Sequence, residues 1–585
     1  MKLLTALLAY MLCCNAAAHD TLEARLEQLR EDSHTVGMSV ALIERGKPTH
    51  VINLGLADAA RKLPVTDQTR FRTASMGKMF TTLAVMRLVE DGKLALSTPL
   101  HQLAPEVEFS NPYEATAPVR IAHLMEHTTG WDDIHFVEYA YDNSREVPLA
   151  ETLAFHPHSR TSRWVPGTRT AYSNAGAAVA GYVAQKVSGM LFEDWVRQSV
   201  FTPLGMASAS YFEDTQLGAI GHTKDGKARP FIHILFRPCG SGISTSSDMA
   251  RLVRMFLENG DGIFKPETIA RMESSPGMGL QLDGYKGYAL FGHGGDIGGF
   301  HALVQYSHEL GVGMVVMTNS DSNVRFKVRD LVFDQWIKTP KPPYLQSPVD
   351  AHTWEDVDGL YVPDNPRIAL VRFLLPFQAV RLQDRDGFVE RTAFTGTWSD
   401  KLLKSGIYLI DPSTGLANGL RAQDPLAGDV VVLGTNHYRR ISVLQVGAMY
   451  AVLLGLVACT LGGLVFALVW VPRRVWGQLQ GGPAFRLRVW PLLASLVFIA
   501  TGITPPMLKV EESALGSMTP ASLSWCIGSL LYGLLVLWSA WAVWRQRGVP
   551  GNWVAYWYSV LFTVLHLCAA AYLAWFGIIP LRTWA

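Results

Sequence analysis

The sequence predicts an α/β domain with strands near both ends and helices between them, then a small all-β module and four membrane-spanning helices. Strand-like runs over Val36–Ile43 and Thr49–Leu54 and over Leu303–Tyr306 and Val312–Met317 enclose helix-like runs, and short strand-like runs separated by turns fill residues 350–442. Long apolar segments without internal charges begin at Val446. A chain of 585 residues is long enough for such a division into several domains.

The N-terminus has the pattern of a secretory signal. Met1-Lys2 precedes an apolar run from Leu3 to Leu12, and the small residues 16–18 follow it. The alternative, a membrane anchor, is disfavoured because the run is too short to span a bilayer comfortably. We therefore expect residues 1–18 to be a signal peptide and the rest of the chain to be exported.

Composition argues against a nucleic-acid partner, and histidine spacing argues against a metal site. The formal net charge is +1, which gives no reason to expect a nucleic-acid partner. Residues 134–163 show little periodicity, and His156 and His158 lie among them without a third ligand nearby in the sequence. We expect both histidines to be solvent-exposed rather than metal ligands, and we expect no cofactor.

A serine and a lysine three residues apart open a segment with helical periodicity. Residues at i and i+3 share a helix face, so the Ser75 hydroxyl and the Lys78 amine can meet there. Serine is a weak nucleophile until a base removes its proton, and a lysine with a lowered pKa can be that base. The pair predicts a nucleophile with its base, although such a spacing also arises by chance in a long chain.

Two later stretches place polar groups beside turns and glycines. Tyr172 and Asn174 follow a Pro-Gly turn; the hydroxyl could relay a proton and the amide could hold a substrate carbonyl. The alternative is that Tyr172 is an ordinary buried aromatic residue. His293, Gly294 and Gly295 lie between strand-like runs, where they form either one edge of an oxyanion hole or a structural hairpin.

In order and approximate spacing, these stretches resemble the three motifs of the serine β-lactamase and penicillin-binding protein superfamily. The group resembled is that of class C β-lactamases, D-aminopeptidases and esterases (peptidase family S12). The resemblance covers roughly Thr21 to Lys338 and is carried by six stretches: Ser75-Met76-Gly77-Lys78, His123–Gly130, Tyr172-Ser173-Asn174, Gly240–Met249, His293-Gly294-Gly295 and Met317-Thr318-Asn319.

The resemblance implies a β-lactamase-like α/β (α+β) fold. Two N-terminal strands and the strands around residue 293 would form one antiparallel sheet flanked by helices, with a helical lobe between them in sequence. The site would lie at the junction of sheet and lobe. The resemblance also implies that Ser75 is the acylated nucleophile, Lys78 its base partner and Tyr172 the proton relay.

The substrate-binding residues follow from the same resemblance. Asn174 would orient the substrate amide, and His293, Gly294 and Gly295 would line the site. The backbone N–H groups of the nucleophile and of Asp296 would bind the oxyanion.

One position departs from many β-lactamases and D,D-peptidases. They carry lysine where this chain has His293, and that lysine helps to bind the substrate carboxylate. A histidine is mostly uncharged at neutral pH, so recognition of a free carboxylate is less secure here. We therefore expect esters or neutral amides, rather than β-lactam antibiotics in particular, as substrates.

Residues 19–340 are thus predicted to form the hydrolase domain, and a Pro-rich linker follows them. In residues 350–442, short strand-like runs alternate with turns and predict a small all-β module without catalytic residues.

Four apolar segments within residues 446–580 end the chain, and each is about long enough to cross a bilayer: Val446–Val471, Val489–Leu508, Ala521–Trp544 and Trp553–Ile579. Arginines lie between the first and second segments and between the third and fourth, whereas the middle loop carries Glu511 and Glu512. Because positive loops favour the cytoplasm, the first helix enters from the exported side. His566, inside the last segment, is predicted to be a neutral hydrogen-bonded group rather than a proton relay.

These features predict a multi-pass cell-membrane protein with a serine hydrolase domain on the periplasmic or extracellular side. It would cleave a peptide, amide or ester bond in a small-molecule or peptide substrate through an acyl-enzyme. The alternative is a penicillin-binding sensor that is acylated on Ser75 and signals through the membrane helices. Short inside loops without a recognisable effector favour the enzyme, and the oligomeric state stays open.

Overall fold

A computed structural model of the chain describes residues 21–141, 146–343, 345, 353–479, 481–507, 510–547 and 553–584. The predicted signal peptide lies outside the described residues. The chain divides into two compact units, which are described separately. The first comprises Met1–Asp132, Asn143–Thr353 and Lys401–Leu420, and the second Asp133–Asp142, Trp354–Asp400 and Arg421–Ala585.

The first unit is built on one antiparallel sheet with the strand order β3-β2-β1-β9-β8-β7-β6. The two N-terminal strands and the strands around residue 293 lie in this one sheet as predicted, and the fold class is confirmed. The strands are β1 (Gly37–Glu44), β2 (His50–Asp58), β3 (Leu63–Pro64), β6 (Gln281–Tyr285), β7 (Tyr288–Ile297), β8 (Phe300–Ser307) and β9 (Val312–Thr318); β4 (Phe71–Arg72) and β5 (Ile243–Ser244) pair separately.

The core of this unit lies on both faces of the sheet. Every residue of β9 is buried, which explains its continuous apolar sequence. On one face, Leu26 of α1 (Leu22–Asp32) and Val328 of α12 (Arg325–Trp336) pack with Val316 in a single apolar cluster. Helix α10 (Ser246–Leu257) also packs against this sheet, mainly on β9 and β1.

The helical lobe contains the long helices α2 (Gly77–Glu90) and α7 (Asn174–Ser188), which pack against each other. Ser173 caps α7 by accepting a hydrogen bond from the Gly176 N–H, and Gly189 ends the helix with φ +71°. The shorter helices are α3 (Leu100–Leu103), α4 (Ile121–Glu126), α6 (Leu149–Phe155), α8 (Phe192–Val196), α9 (Arg237–Gly240) and α11 (Pro266–Glu273), with a π turn over Arg197–Phe201.

The prediction that both histidines in residues 134–163 are solvent-exposed was wrong in part. The segment contains α5 (Phe136–Tyr139), α6 and a 3₁₀ turn over Pro157–Ser159. Helices of four to seven residues are too short to display a helical period, which is why the sequence did not reveal them. His158 is exposed as expected, but His156 is buried.

The all-β module is a closed barrel of eight strands in sequential order. Five strand-like runs predicted it, whereas β13, β15 and β17 were missed because they are rich in polar and charged residues. The strands are β10 (Gly359–Pro363), β11 (Val380–Arg385), β12 (Phe388–Ala393), β13 (Ser399–Ser405), β14 (Tyr408–Ile410), β15 (Ala417–Asp424), β16 (Gly428–Leu433) and β17 (Asn436–Ile441). A 3₁₀ helix over Ala369–Gln378 connects β10 and β11.

The four apolar segments are helices, each long and apolar enough to cross a membrane: α13 (Val443–Val475), α14 (Pro483–Met507), α16 (Pro520–Gln546) and α17 (Trp553–Trp575). The short α15 (Glu512–Leu515) precedes α16. His566 is buried, with its Nδ1 3.0 Å from the Tyr532 hydroxyl and its Nε2 3.4 Å from the Thr460 hydroxyl. These contacts join α13, α16 and α17.

Candidate active site

The predicted nucleophile lies on a tight turn that leads into a buried helix. Ser75 is the middle residue of a 3₁₀ turn over Ala74–Met76, and α2 begins at Gly77. Ala74 has φ +46°, in the left-handed region that non-glycine residues rarely adopt. Ser75 is only partly buried, so the turn presents its hydroxyl at the first turn of α2, where the helix field favours an oxyanion.

Glycines allow other elements to approach this turn closely. A Cβ atom at Gly295 would lie 2.2 Å from the Thr73 carbonyl oxygen, and one at Gly240 would lie 3.1 Å from the Ala74 carbonyl carbon. No side chain fits at the first of these distances. Strand β7 and helix α9 therefore pack directly against the backbone before Ser75.

Lys78 lies beside Ser75 in the interior of the site. Its side chain is buried, with 2% of the residue exposed. Its Nζ donates to Asn174 Oδ1 at 2.7 Å and to the Cys239 carbonyl at 2.8 Å, and lies 3.4 Å from Ser75 Oγ. The helical i, i+3 spacing brings the amine to the hydroxyl, and two long-range acceptors hold it there.

The structure brings Tyr172 and Asn174 to the same place. Asn174 is the first residue of α7 and binds Lys78 directly. The Tyr172 ring centroid lies 4.7 Å from Lys78 Nζ and 6.2 Å from the His293 ring centroid. Groups from α2, α7 and β7 thus meet at the junction of lobe and sheet.

His127 is a neighbour of Tyr172 that the sequence did not assign to the site. Its ring lies against the Tyr172 ring, with 4.4 Å between centroids. The backbone N–H of Ala171 donates to its carbonyl at 2.8 Å, and that of Ser173 donates to its Nδ1 at 3.2 Å. One residue thus holds the backbone on both sides of Tyr172. The His123–Gly130 stretch contained it, but gave no sign of this role.

His293 lies on β7 and is buried, with 3% of the residue exposed. Burial, and then the nearby positive charge of Lys78, lower the pKa of His293 to about 4. The ring is therefore neutral at pH 7. Its Nδ1 lies 2.5 Å from the Gly294 carbonyl, which requires Nδ1 to donate and leaves Nε2 as an acceptor.

The end of β7 provides an open edge. The pairing of β6 with β7 ends at Gly292, whereas β8 continues beside β7 as far as Ile297. In the part of the chain that the structure describes, residues 293–297 therefore have a strand partner on one side only. This is the arrangement expected if Gly294, Gly295 and Asp296 line a substrate site.

Arg325 holds the end of this edge and was not predicted. Its guanidinium donates to the Gly295 carbonyl and to the Asp296 carboxylate, both at 2.8 Å. The His301 Nδ1 lies 2.5 Å from the same carboxylate. Burial alone would raise the Asp296 pKa, but the hydrogen bonds from His301 and Arg325 outweigh it and hold the pKa below its usual value. The Asp296 carboxylate is therefore ionised at neutral pH and is not suited to act as a general acid.

A serine just before a buried helix, a lysine on the first turn of that helix and a tyrosine just before a second helix of the same lobe form an arrangement typical of serine hydrolases related to β-lactamases and penicillin-binding proteins. The comparison with protein families agrees. Residues 22–335, over half of the chain, match the family described as Beta-lactamase, and the chain belongs to this family.

Several characterised proteins are similar in sequence. Penicillin-binding protein 4 of Amycolatopsis lactamdurans is 25% identical over 52% of this chain and 85% of its own length. The β-lactamase of Escherichia coli K12 is 31% identical over 34% of this chain, and the D-aminopeptidase of Gluconobacter oxydans is 25% identical over 51%. The alignments span 51% and 58% of the lengths of these last two relatives.

One solved structure is similar over part of this chain. The octameric penicillin-binding protein homologue from Pyrococcus abyssi covers 71% of this chain and 98% of its own, with 21% identity and a TM-score of 0.49.

Proposed function

We propose that the protein is a membrane-tethered, exported serine hydrolase of the S12 type. It cleaves a peptide, amide or ester bond through an acyl-enzyme on Ser75. The observation that carries the proposal is the buried Lys78 amine, 3.4 Å from the Ser75 hydroxyl and held by acceptors from two other elements. No oxidation state changes, and water is the only second reactant.

The positions of these groups support the following reaction. Ser75 Oγ attacks the substrate carbonyl carbon and its proton passes to the Lys78–Tyr172 pair. The pair returns the proton to the leaving nitrogen or oxygen as its bond to the carbonyl carbon breaks. Water then attacks the carbonyl carbon of the ester on Ser75, the same pair takes a proton from the water and passes it to Ser75 Oγ as the C–O bond breaks, and the acid product leaves. Backbone N–H groups of Ser75 and Asp296 bind the oxyanion in both steps.

Four apolar helices support the membrane part of the proposal. The arginine-rich loops favour the cytoplasm, which puts the start of α13 and the end of α17 on the exported side. The hydrolase domain precedes α13 and follows a predicted signal peptide, so the same side is expected for it.

The nucleophile can be tested with a fluorophosphonate probe on the full chain in detergent. We expect stoichiometric labelling of the wild type and none of Ser75→Ala. Ser199→Ala is the matched control, because this serine is also in the helical lobe and its hydroxyl donates to the Trp195 carbonyl, away from the site residues. Stoichiometric labelling of Ser75→Ala would refute the assignment.

The reaction class needs turnover. Hydrolysis of p-nitrophenyl esters, D-amino-acid amides and a chromogenic cephalosporin would be compared on the same protein. Repeated turnover of any of them supports an enzyme, and the best substrate gives the bond type. A long-lived stoichiometric adduct with no turnover would favour the sensor alternative instead.

A further inference from the structure

The connection between β10 and β11 in the second unit has an unusual surface. It is a 3₁₀ helix over Ala369–Gln378 with a single charged residue, Arg372. A 3₁₀ helix has three residues per turn, so positions three apart share a face. Ile368, Val371 and Leu374 have this spacing and are 41%, 39% and 40% exposed. They form an exposed apolar stripe.

Two tyrosines of the apolar helices hold this 3₁₀ helix. The Tyr450 hydroxyl of α13 donates to the Phe377 carbonyl at 3.0 Å, and the Tyr572 hydroxyl of α17 donates to the Phe373 carbonyl at 2.6 Å. The Phe377 ring, next in the three-residue series, packs edge-on against Tyr450 with 5.4 Å between centroids. The stripe therefore ends on the side of a membrane-spanning helix.

Both tyrosines lie near helix ends that the proposed topology puts on the exported side. Tyr450 is in the second turn of α13, and Tyr572 is in the last turn of α17. Because α13 has 33 residues, it is about 50 Å long, and the hydrocarbon core is only about 30 Å thick. The first turns of α13 therefore reach the level of the lipid headgroups, where tyrosines are common.

We propose that the stripe of Ile368, Val371 and Leu374 inserts into the exported-side leaflet of the bilayer at headgroup level. Its ligand is the lipid surface rather than a second protein, because the three-residue series ends at Phe377 against Tyr450, and Leu453 and Leu454, three and four residues further along α13, are themselves exposed. Arg372 lies beside the stripe and can place its guanidinium among the phosphates. The barrel module would then be held against the membrane by this segment as well as by the chain connection to α13.

This proposal depends on the membrane part of the proposed function. It is tested with the full chain in vesicles of phosphatidylethanolamine and phosphatidylglycerol (3:1). Nitroxide labels are placed on single cysteines at 371, 374 and 372 in a chain in which Cys239, Cys459, Cys526 and Cys568 are replaced. The other two cysteines, Cys13 and Cys14, belong to the predicted signal peptide. The collision rates of each label with oxygen, which enters lipid, and with a water-soluble nickel complex are then measured.

We expect the oxygen-to-nickel ratio at 371 and 374 to exceed that at 372 at least threefold. Position 372 is the matched control, since it is exposed on the same helix but off the stripe. If the ratios at 371 and 374 are as low as that of a water-exposed label at 372, the stripe lies in water and the proposal is overturned. Low collision rates with both reagents would overturn it by showing that protein covers the stripe.

Two further measurements separate this proposal from those it depends on. A label at Leu454, on the exposed side of α13, should read as lipid; if it reads as water, membrane tethering itself fails. If the cysteine-free chain does not label with fluorophosphonate, a benzophenone amino acid at 371 in the natural-cysteine chain replaces the nitroxide. Lipid adducts at that position support the proposal, and protein adducts overturn it.

Discussion

The neutral charge of His293 predicts which substrates the proposed site prefers. Burial and Lys78 lower its pKa to about 4, and its Nδ1–H is used by the Gly294 carbonyl. At neutral pH it offers the substrate an acceptor nitrogen, which suits an amide N–H or a hydroxyl. Replacement by lysine would offer a charged donor at the same position of β7.

The magnitudes decide whether a free carboxylate could recruit a proton to His293. At pH 7 protonation of a group with a pKa of about 4 costs about 4 kcal/mol, at about 1.4 kcal/mol per pH unit. A charge-assisted hydrogen bond returns only about 1.5–3 kcal/mol. At pH 5 the cost falls to about 1.4 kcal/mol, and the bond can offset it. Carboxylate recognition by the wild type should therefore appear only in acid.

The assay is kcat/KM for a matched pair of substrates, one amidated and one a free acid, at pH 5 and pH 7. We expect the wild type to use the amidated form at least as well at pH 7. The ratio of acid to amide should rise by up to about 15-fold towards pH 5, because the bond of about 1.5–3 kcal/mol exceeds the protonation cost of about 1.4 kcal/mol by at most about 1.6 kcal/mol. His293→Lys should raise the ratio at pH 7 by roughly 10-fold to 150-fold, for a bond of about 1.5–3 kcal/mol, less whatever repulsion from Lys78 removes.

Using the ratio removes effects common to both substrates, such as a change in Lys78 protonation. His293→Gln is the control, since it cannot gain a charge and should keep a ratio that does not change with pH. A wild type that strongly prefers the free acid at pH 7, with no change in His293→Lys, would refute the reasoning.

Three further predictions concern topology and geometry. Reporter fusions in the loop near residue 480 should report cytoplasm and fusions near Ser513 the exported side; the reverse would contradict the charge-based topology. Gly295→Ala should slow fluorophosphonate labelling at least tenfold, because its Cβ would lie 2.2 Å from a backbone oxygen. In the control Gly294→Ala, the new Cβ meets nothing closer than 3.5 Å, so labelling should slow far less. Equal losses in the two variants would contradict the packing. His127→Ala should lower kcat per labelled site about tenfold, as expected if about 1.4 kcal/mol of transition-state stabilisation is lost when Tyr172 is less well positioned. His127→Asn, whose side-chain oxygen can still accept from the Ser173 N–H, should recover part of that loss. No loss in either variant would show that Tyr172 does not need this support.

Much of the sheet was readable because its strands are apolar runs between turn residues. The run predicted over Val36–Ile43 is β1, and the run over Val312–Met317 is β9. The all-β module was recognised from its apolar strands, although its polar strands were missed. A barrel strand such as β17, with the sequence Asn436–Ile441, contains too few apolar residues to stand out from a loop.

The sequence by itself determined the features that depend on neighbours in the chain. Ser75 meets Lys78 because three residues on a helix bring side chains to one face, and the apolar helices follow from composition and length. Only the tertiary structure decided the neutral charge of His293, since its pKa depends on burial and on the distant Lys78. It also decided how Arg325 holds Asp296, because residues far apart in sequence become neighbours only when the sheet and its helices pack.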